Sequence, residues 1–408
     1  MNAVAETPDQ HLRARARRVI PGGMYGHMRS EGLPASYPQF FERGEGCYLW
    51  DVNGRRYIDF MCSWGPVIVG HRHPEVTEAV QRQMLLGDCL NGPSPRMVEL
   101  AERLVDLIPH ADWAMFSKNG TDATTTCITL ARAATGRRKI LIARGAYHGA
   151  IPWCTPNTLG VTAEDRAHLL YFGFNDIESL EIAAEQAGDD LAGIMVSAFR
   201  HDYGLDQHLP TPAFAKRLRE LCDATGAALI LDDVRAGFRM NLRGSWDSLG
   251  VQPDLSAWSK AIANGYALAA VTGNDRFRDA AARIFVTGSF WCSAVSMAAA
   301  LATLDVLVRE NGPDRMHATG MRLRDGIAAQ AQAAGIGVRQ SGPPQMPTLL
   351  FDDDADFAKG ESFCAEALKR GVYLHPRHNM FLSTAHTEAD IDAALSATRD
   401  AFAALAAG

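Results

Sequence analysis

Lysine is scarce in this chain: six occur among 408 residues, at positions 118, 139, 216, 260, 359 and 369. Arginine supplies nearly all the positive charge, so each lysine can be weighed individually. Positive charge as a whole is also short. The formal net charge is −7, which removes the electrostatic reason to expect nucleic acid or an anionic membrane as partner. No apolar run is long enough to span a bilayer. The stretch from Met1 to Ile20 carries Arg13, Arg15, Arg17 and Arg18 with no apolar segment after them, which argues against a secretory signal. The eight cysteines are scattered, with no CxxC pair and no Cys/His spacing that suits zinc. They read as reduced, mostly buried thiols of a cytoplasmic protein. No internal repeat or low-complexity tract occurs.

What is present is an ordinary globular composition in a chain long enough for one large domain and a smaller one. From Phe41 to Phe60, aromatic and polar residues alternate around Gly-Glu-Gly and Val-Asn-Gly-Arg, which predicts short antiparallel strands with a tight turn at Asn53-Gly54. Pro95 to Pro109 has helical spacing. Between Trp113 and Gly273, short apolar runs (113–116, 139–143, 193–198, 227–231, 267–273) alternate with helical patterns such as 122–135 and 212–225. Repeated strand–helix–strand units imply an α/β fold, with a mostly parallel central sheet flanked by helices. Beyond Met297 the pattern changes to a long alanine-rich helix (297–310), strand-like pieces (337–340, 347–351, 372–375, 380–383) and a closing helix from Glu388. The expected division is an N-terminal segment (1–60) joining the small domain, a large domain over 61–300, and a small α+β domain over 301–408.

Five segments carry chemistry. Ser117 to Ala123 follows an apolar strand and opens a helix, so the amides of its first turn suit a phosphate, or simply make a capped turn. The strand from Ala227 ends in Asp232-Asp233, at the edge where open α/β sheets bind ligands. An aspartate buried there needs a cation. A ring N–H is one candidate, and Arg235 or Arg239 is the plainer one. A metal is weakly favoured, because adjacent strand residues face opposite ways. Lys260 sits among small and aromatic residues with no neighbouring charge. It is either a desolvated amine of lowered pKa, and hence a nucleophile, or a lysine snorkelling to solvent. Arg144 to Gly149 places Tyr147 and His148 on a strand-end loop, where an aromatic ring can stack on a flat ligand. Thr287-Gly288-Ser289 could bind phosphate or cap a helix.

In this order and spacing, the segments resemble class III pyridoxal-phosphate (PLP)-dependent aminotransferases, in particular the branch containing glutamate-1-semialdehyde 2,1-aminomutase. The resemblance runs from Pro21-Gly22-Gly23 to Ala385-His386-Thr387. It also rests on Ser63-Trp64-Gly65-Pro66, Gly70-His71-Arg72-His73-Pro74, Asn119 to Ala123, Tyr147-His148-Gly149, Asp232 to Arg239, and Pro253-Asp254-Leu255 before Lys260.

The resemblance implies PLP fold type I and a homodimer with shared active sites. Lys260 would form the Schiff base with the cofactor and shuttle the proton. Asp232 would keep the pyridine nitrogen protonated, making the ring an electron sink. Val234 and Tyr147 would cover the two ring faces, with His148 alongside. Asn119, Gly120 and Thr121 would hold the phosphate, joined by Thr287 of the partner subunit. His71 and His73 would belong to a structural loop, so no metal is expected. Arg29, at matching spacing after Pro-Gly-Gly, resembles the family's substrate-carboxylate arginine, a role its planar fork suits.

Departures bear on the substrate. Asp233 replaces the usual glutamate, Ser197 stands where Glu-Pro is common, and Arg377-His378 occupies the aminomutase's Gln-Phe-Glu region. The segment 150–163, with Pro152, Trp153 and Pro156, is shorter than the aminomutase's glycine-rich lid. A mutase must retain its intermediate whereas a transaminase must release its keto product. The expectation is therefore an aminotransferase acting between a carboxylate-bearing amine, such as a β- or non-standard amino acid, and a keto acid. An aminomutase or a racemase/epimerase is the alternative. Trp64, Arg377 and His378, with Trp153 and Tyr25, are the expected substrate-side residues.

Overall fold

A strand covered on both faces has no polar side to show, and the segment Leu191–Ser197 is buried along its whole length. It lies inside a sheet that sets the architecture. The computed structural model describes residues 6–407; Met1 to Ala5 of the N-terminal segment expected over 1–60, and Gly408, lie outside the described residues. In chain order the strands are β1 (Phe41–Glu45), β2 (Tyr48–Asp51), β3 (Arg56–Asp59), β4 (Trp113–Ser117), β5 (Lys139–Ala143), β6 (Leu169–Phe172) and β7 (Leu191–Ser197). They continue as β8 (Ala228–Asp232), β9 (Leu255–Trp258), β10 (Ala269–Gly273), β11 (Val338–Ser341), β12 (Thr348–Phe351) and β13 (Val372–Tyr373).

The central sheet has the order β4-β10-β9-β8-β7-β5-β6. Its β9-β8-β7-β5-β6 run is parallel, and β10 alone runs antiparallel to both neighbours. The exception has a plain cause. Only ten residues, 259–268, join β9 to β10, too few for the crossover that a parallel return needs. α-Helices fill the connections β4–β5, β6–β7 and β7–β8. Gly120–Thr135 packs against β9 and β10, while Ile177–Ala187 and Pro212–Thr225 lie beside β6 and β7. Separate apolar clusters result, one around Ile128, Met195 and Val271, the other around Leu180, Phe214 and Leu229.

The N- and C-terminal parts share a second sheet, β1-β2-β3-β13, in which β13 pairs parallel with β3. Tyr37 Oη donates to the Leu374 carbonyl at 2.8 Å and reinforces the join. The expected strand at 380–383 needs correction here. The stretch 380–383 is extended but forms no strand. Its amides alternate between partners, Met380 to Pro347, Phe381 to Phe60 and Leu382 to Gln345, so no ladder can build. Lys359 stands in the first turn of helix Ala358–Lys369 and donates to the Asp352 carbonyl at 2.7 Å. The helix expected from Asp122 starts at Gly120, because Asn119 and Asp122 form a capping box ahead of it.

Helix Gly312–Ala334 crosses the chain at Gly320, where an added Cβ would lie 2.0 Å from the Pro344 carbonyl oxygen. Alanine inside a helix ordinarily gains up to about 1 kcal/mol over glycine. Here the clash reverses the sign. Gly320→Ala is expected to lose roughly 1–3 kcal/mol and lower Tm, measurable by scanning calorimetry; a raised Tm would contradict the packing described.

Candidate active site

The carboxyl ends of β5, β7 and β8 open on one edge of the central sheet, and the chemical residues gather there. Asp232 ends β8, directly beside Ser197 of β7. Its Oδ1 accepts from the Val234 amide at 3.1 Å, and its Oδ2 lies 2.6 Å from His148 Nδ1. His148 is buried and fixed from behind. Its carbonyl accepts from Thr124 Oγ1 at 2.8 Å, and its ring stacks on Trp153. Neither Arg235 nor Arg239 forms an ion pair with Asp232 among the described residues. Two buried polar atoms here lack partners, Ser197 Oγ and His148 Nε2. The next residue, Asp233, faces the other way. It accepts from the amide and hydroxyl of Ser245, and burial pushes its carboxyl up to about 6.

Lys260 follows β9 with a left-handed backbone, φ 48°. Burial, and then the charge of Arg235, bring its amine down to about 7, against the upward pull of Asp232. The stem of Lys260 passes a glycine that has no room for a side chain. A Cβ on Gly65 would sit 2.9 Å from Phe381 and 3.5 Å from Lys260 Cδ. Gly65 ends a run of four positive φ angles that begins at Cys62, 45°, and continues through Ser63 and Trp64. For non-glycine residues such angles cost of order 1–3 kcal/mol each and collect at functional sites. Their effect here is to aim Trp64 at the cleft.

At the end of β4, the Asn119 side chain accepts from the Asp122 amide, while the Asp122 carboxylate accepts from the amides of Lys118 and Asn119. The amides of Gly120 and Thr121 open helix Gly120–Thr135, where no earlier turn offers an acceptor. They are free for an anion. Gly120 must be a glycine, since its Cβ would meet Val234 at 2.8 Å. Gly149 packs on Thr121 in the same way, at 2.5 Å. Tyr147 is partly exposed above this cradle. Thr287 lies exposed in the loop leading to Phe290, whose ring faces the Lys118 ammonium at 5.5 Å.

The expected substrate residues separate. Trp64 and His378 come together, with ring centres 4.9 Å apart, and His378 Nε2 lies 3.2 Å from Arg235 Nη1. Arg377 instead pairs with Glu361 and donates to the Gly32 carbonyl. Arg29 donates to the Met24 carbonyl at 2.8 Å with Glu31 beyond it. Trp153 lies behind His148, and Tyr25 is exposed. His71, from the loop beside β3, bonds Asp59 at 2.9 Å. His27 has no counterpart among the expected residues. Its ring meets Trp64 at 5.0 Å, and burial, then the Lys260 charge, lowers its pKa. Nothing in its spacing sets it apart; only the fold of the Pro-Gly-Gly segment brings it in.

The family model described as Aminotransferase class-III matches residues 33–402. An aminopentol aminotransferase of Sphingopyxis macrogoltabida is 51% identical over 399 residues, 98% of this chain and 94% of that protein. A glutamate-1-semialdehyde 2,1-aminomutase of Neisseria gonorrhoeae is 36% identical over 420 residues, covering 96% of this chain and 98% of its own. Among solved structures, the PLP internal aldimine form of the Sphingopyxis sp. MTA144 FumI protein superposes with a TM-score of 0.96 at 51% identity, over 97% of this chain and 96% of that one.

A lysine amine is nucleophilic only as the free base. Modification of Lys260 in the cofactor-free chain by a small acylating reagent should therefore rise with pH through a midpoint near 7. Peptide mapping across pH 5–10 reads this; a midpoint near the ordinary lysine value of about 10.4 would contradict the desolvated setting.

Proposed function

This chain belongs to the class III aminotransferases, and from that membership we propose that it moves an amino group from a primary amine to a 2-oxo acid in two half-reactions at Lys260. The enzyme is PLP-dependent, with an α/β architecture of fold type I. One observation carries the site assignment. A buried carboxylate and a buried amine of lowered proton affinity share one sheet edge, beside two free amides at a helix start.

The residues fit the cofactor. Gly120 and Thr121 take its phosphate on their amides, with Asn119 holding the turn. Asp232, oriented by His148 and the Val234 amide, holds the proton on the ring nitrogen. Val234 and Tyr147 would cover the two faces of the ring. When bound, the cofactor supplies an electron sink for the pair left as the donor's carbon loses its proton. Lys260, with a pKa near 7, takes that proton and returns it, because it is present in both forms at neutral pH. Over the two half-reactions the donor's CH–NH2 carbon becomes C=O and the 2-oxo acid's C=O becomes CH–NH2, nitrogen and oxygen being exchanged between them.

The donor placed first is a hydroxyl-bearing amine. The 51% identical relative is named for an aminopentol, and the aromatic and imidazole groups of His27, Trp64 and His378 offer neutral hydrogen-bonding walls. An amino-acid donor is the second reading, favoured by the place of Arg29 after Pro-Gly-Gly. Segment 150–163 is anchored by Arg166 to the carbonyls of Pro152 and Thr155 and by Trp153 to Thr125, which favours release of a keto product over its retention.

We extend the proposal to a cytoplasmic homodimer. Leu85 and Phe285 are 89% and 91% exposed, and Asp88 ties their two segments together through Ser293 and the Val295 amide. A second copy covering this patch would bring its Thr287 to the phosphate. No helix among the described residues is long and apolar enough to cross a membrane. The eight cysteines are free thiols.

Holoenzyme given one donor and no acceptor should yield one equivalent of carbonyl product per subunit and stop, restarting when a 2-oxo acid is added. Continued turnover of a single substrate would favour the aminomutase or racemase reading. Asp232→Asn should lower kcat/KM by about a hundredfold or more; a wild-type rate would remove Asp232 from the reaction. Phe285→Asp should halve the sedimenting mass, and an unchanged mass would place the subunit contact elsewhere.

A further inference from the structure

The loop after β8 carries two guanidiniums, one buried and one half-buried, and the fold treats them differently. Arg239 is wholly buried and donates to the carbonyls of Leu382, Gly65 and Val67. It is a post between segments. Arg235 is held at one nitrogen. Its Nη1 donates to Asn379 Oδ1 at 2.5 Å and lies 3.2 Å from His378 Nε2. Its Nε is buried without an acceptor. Among the described residues its Nη2 has no acceptor, and no carboxylate pairs with it.

The nitrogens left over are not arbitrary. Nε–H and Nη2–H form the side edge of the guanidinium, one of the edges with which arginine grips a carboxylate in two parallel hydrogen bonds. Asn379 and His378 hold Nη1 and so set that edge in place. His378 brings no charge of its own. Its Nδ1 donates to the Asn379 carbonyl at 2.9 Å, leaving Nε2 as the acceptor, and burial keeps the ring neutral.

The neighbouring acids are committed elsewhere. Asp232 is taken by His148 at 2.6 Å and Asp202 by Arg200 at 2.7 Å. His378, which holds Nη1, packs on Trp64 at 4.9 Å, and the adjacent Gly65 passes the Lys260 stem, so the unfilled edge belongs to the cleft of the reacting amine. A 2-oxo acid needs its carboxylate in that place, one bond from the carbonyl carbon. Arg29, the other candidate, is turned to Met24 and Glu31.

Resting on the aminotransferase reading, we propose that Arg235 binds the carboxylate of the 2-oxo acid acceptor through its free Nε/Nη2 edge. The hydroxyl-bearing donor and the anionic acceptor are then read by different groups of one cleft. The neutral rings around Trp64 face the first, and Arg235 takes the second.

Holoenzyme and its Arg235→Met and Arg235→Lys variants separate this from a structural role. The acceptors compared are pyruvate and propanal, which differ by the carboxylate. Arg235→Met should lower kcat/KM for pyruvate at least tenfold more than for propanal. Arg235→Lys, which keeps charge but loses the fork, should fall between and carries the test if the methionine variant does not fold. Propionate binds without reacting, and its Kd by calorimetry should rise tenfold or more in Arg235→Met. An equal loss on both acceptors, or an unchanged propionate Kd, overturns the proposal. So does a shift in the bound cofactor's absorbance titration with the acceptor preference intact, which would give the free edge to the cofactor's phenolate. Failure of the aminotransferase reading shows separately, as wild-type holoenzyme forming no carbonyl product from any amine.

Discussion

A carboxylate at the end of a strand buried on both faces must be compensated, and much of this structure answers to the compensation of Asp232. Among the described residues the chain itself supplies only an imidazole and one amide. The imidazole is held by Thr124 from helix Gly120–Thr135 and by Trp153 from segment 150–163. Three connections that are distant in sequence are therefore locked to one oxygen. Isolated buried carboxylates are costly, and His148 and one amide leave room for a further proton-bearing partner. In the proposed assignment the ring nitrogen of the cofactor takes that place.

Across the cleft the balance is reversed. Half-buried Lys260 and Arg235 stand with buried Arg239, and Asp232 is the acid acting on Lys260. Such a site suits ligands that carry negative charge, and the reaction brings several: a phosphate, a phenolate and an acceptor carboxylate. Burial and the like charge of Arg235 also explain why the Lys260 amine is close to neutral at physiological pH. Anion binding and nucleophile activation are thus one electrostatic arrangement.

Much of this was legible beforehand, for identifiable reasons. Short apolar runs between helical patterns located five of the seven central strands, because buried parallel strands are continuous apolar runs and their helices are amphipathic, while β6 and β9 were passed over. Lys260 and Asp232 stood out through lysine scarcity and strand-end position. The antiparallel turn of β10 was hidden because direction depends on connection length, not on the strand's own residues. The stretch 380–383 looked like a strand and is extended, yet its partners alternate, which no local pattern records. The substrate side was least legible. Arg377 and Arg29 have the right chemistry but spend it on Glu361, Gly32, Met24 and Glu31. His27 and Arg235 enter the cleft through backbone turns whose direction the side-chain pattern does not encode.

Covalent attachment at Lys260 is the most direct consequence of placing a desolvated amine opposite Asp232. Borohydride reduction of the purified holoenzyme, followed by proteolysis and mass spectrometry, fixes the cofactor to whichever amine holds it. The pyridoxyl mass is expected on the peptide containing Lys260. Its appearance on the peptide of Lys118, beside the phosphate-binding turn, or on any other of the six lysines, would contradict the central assignment.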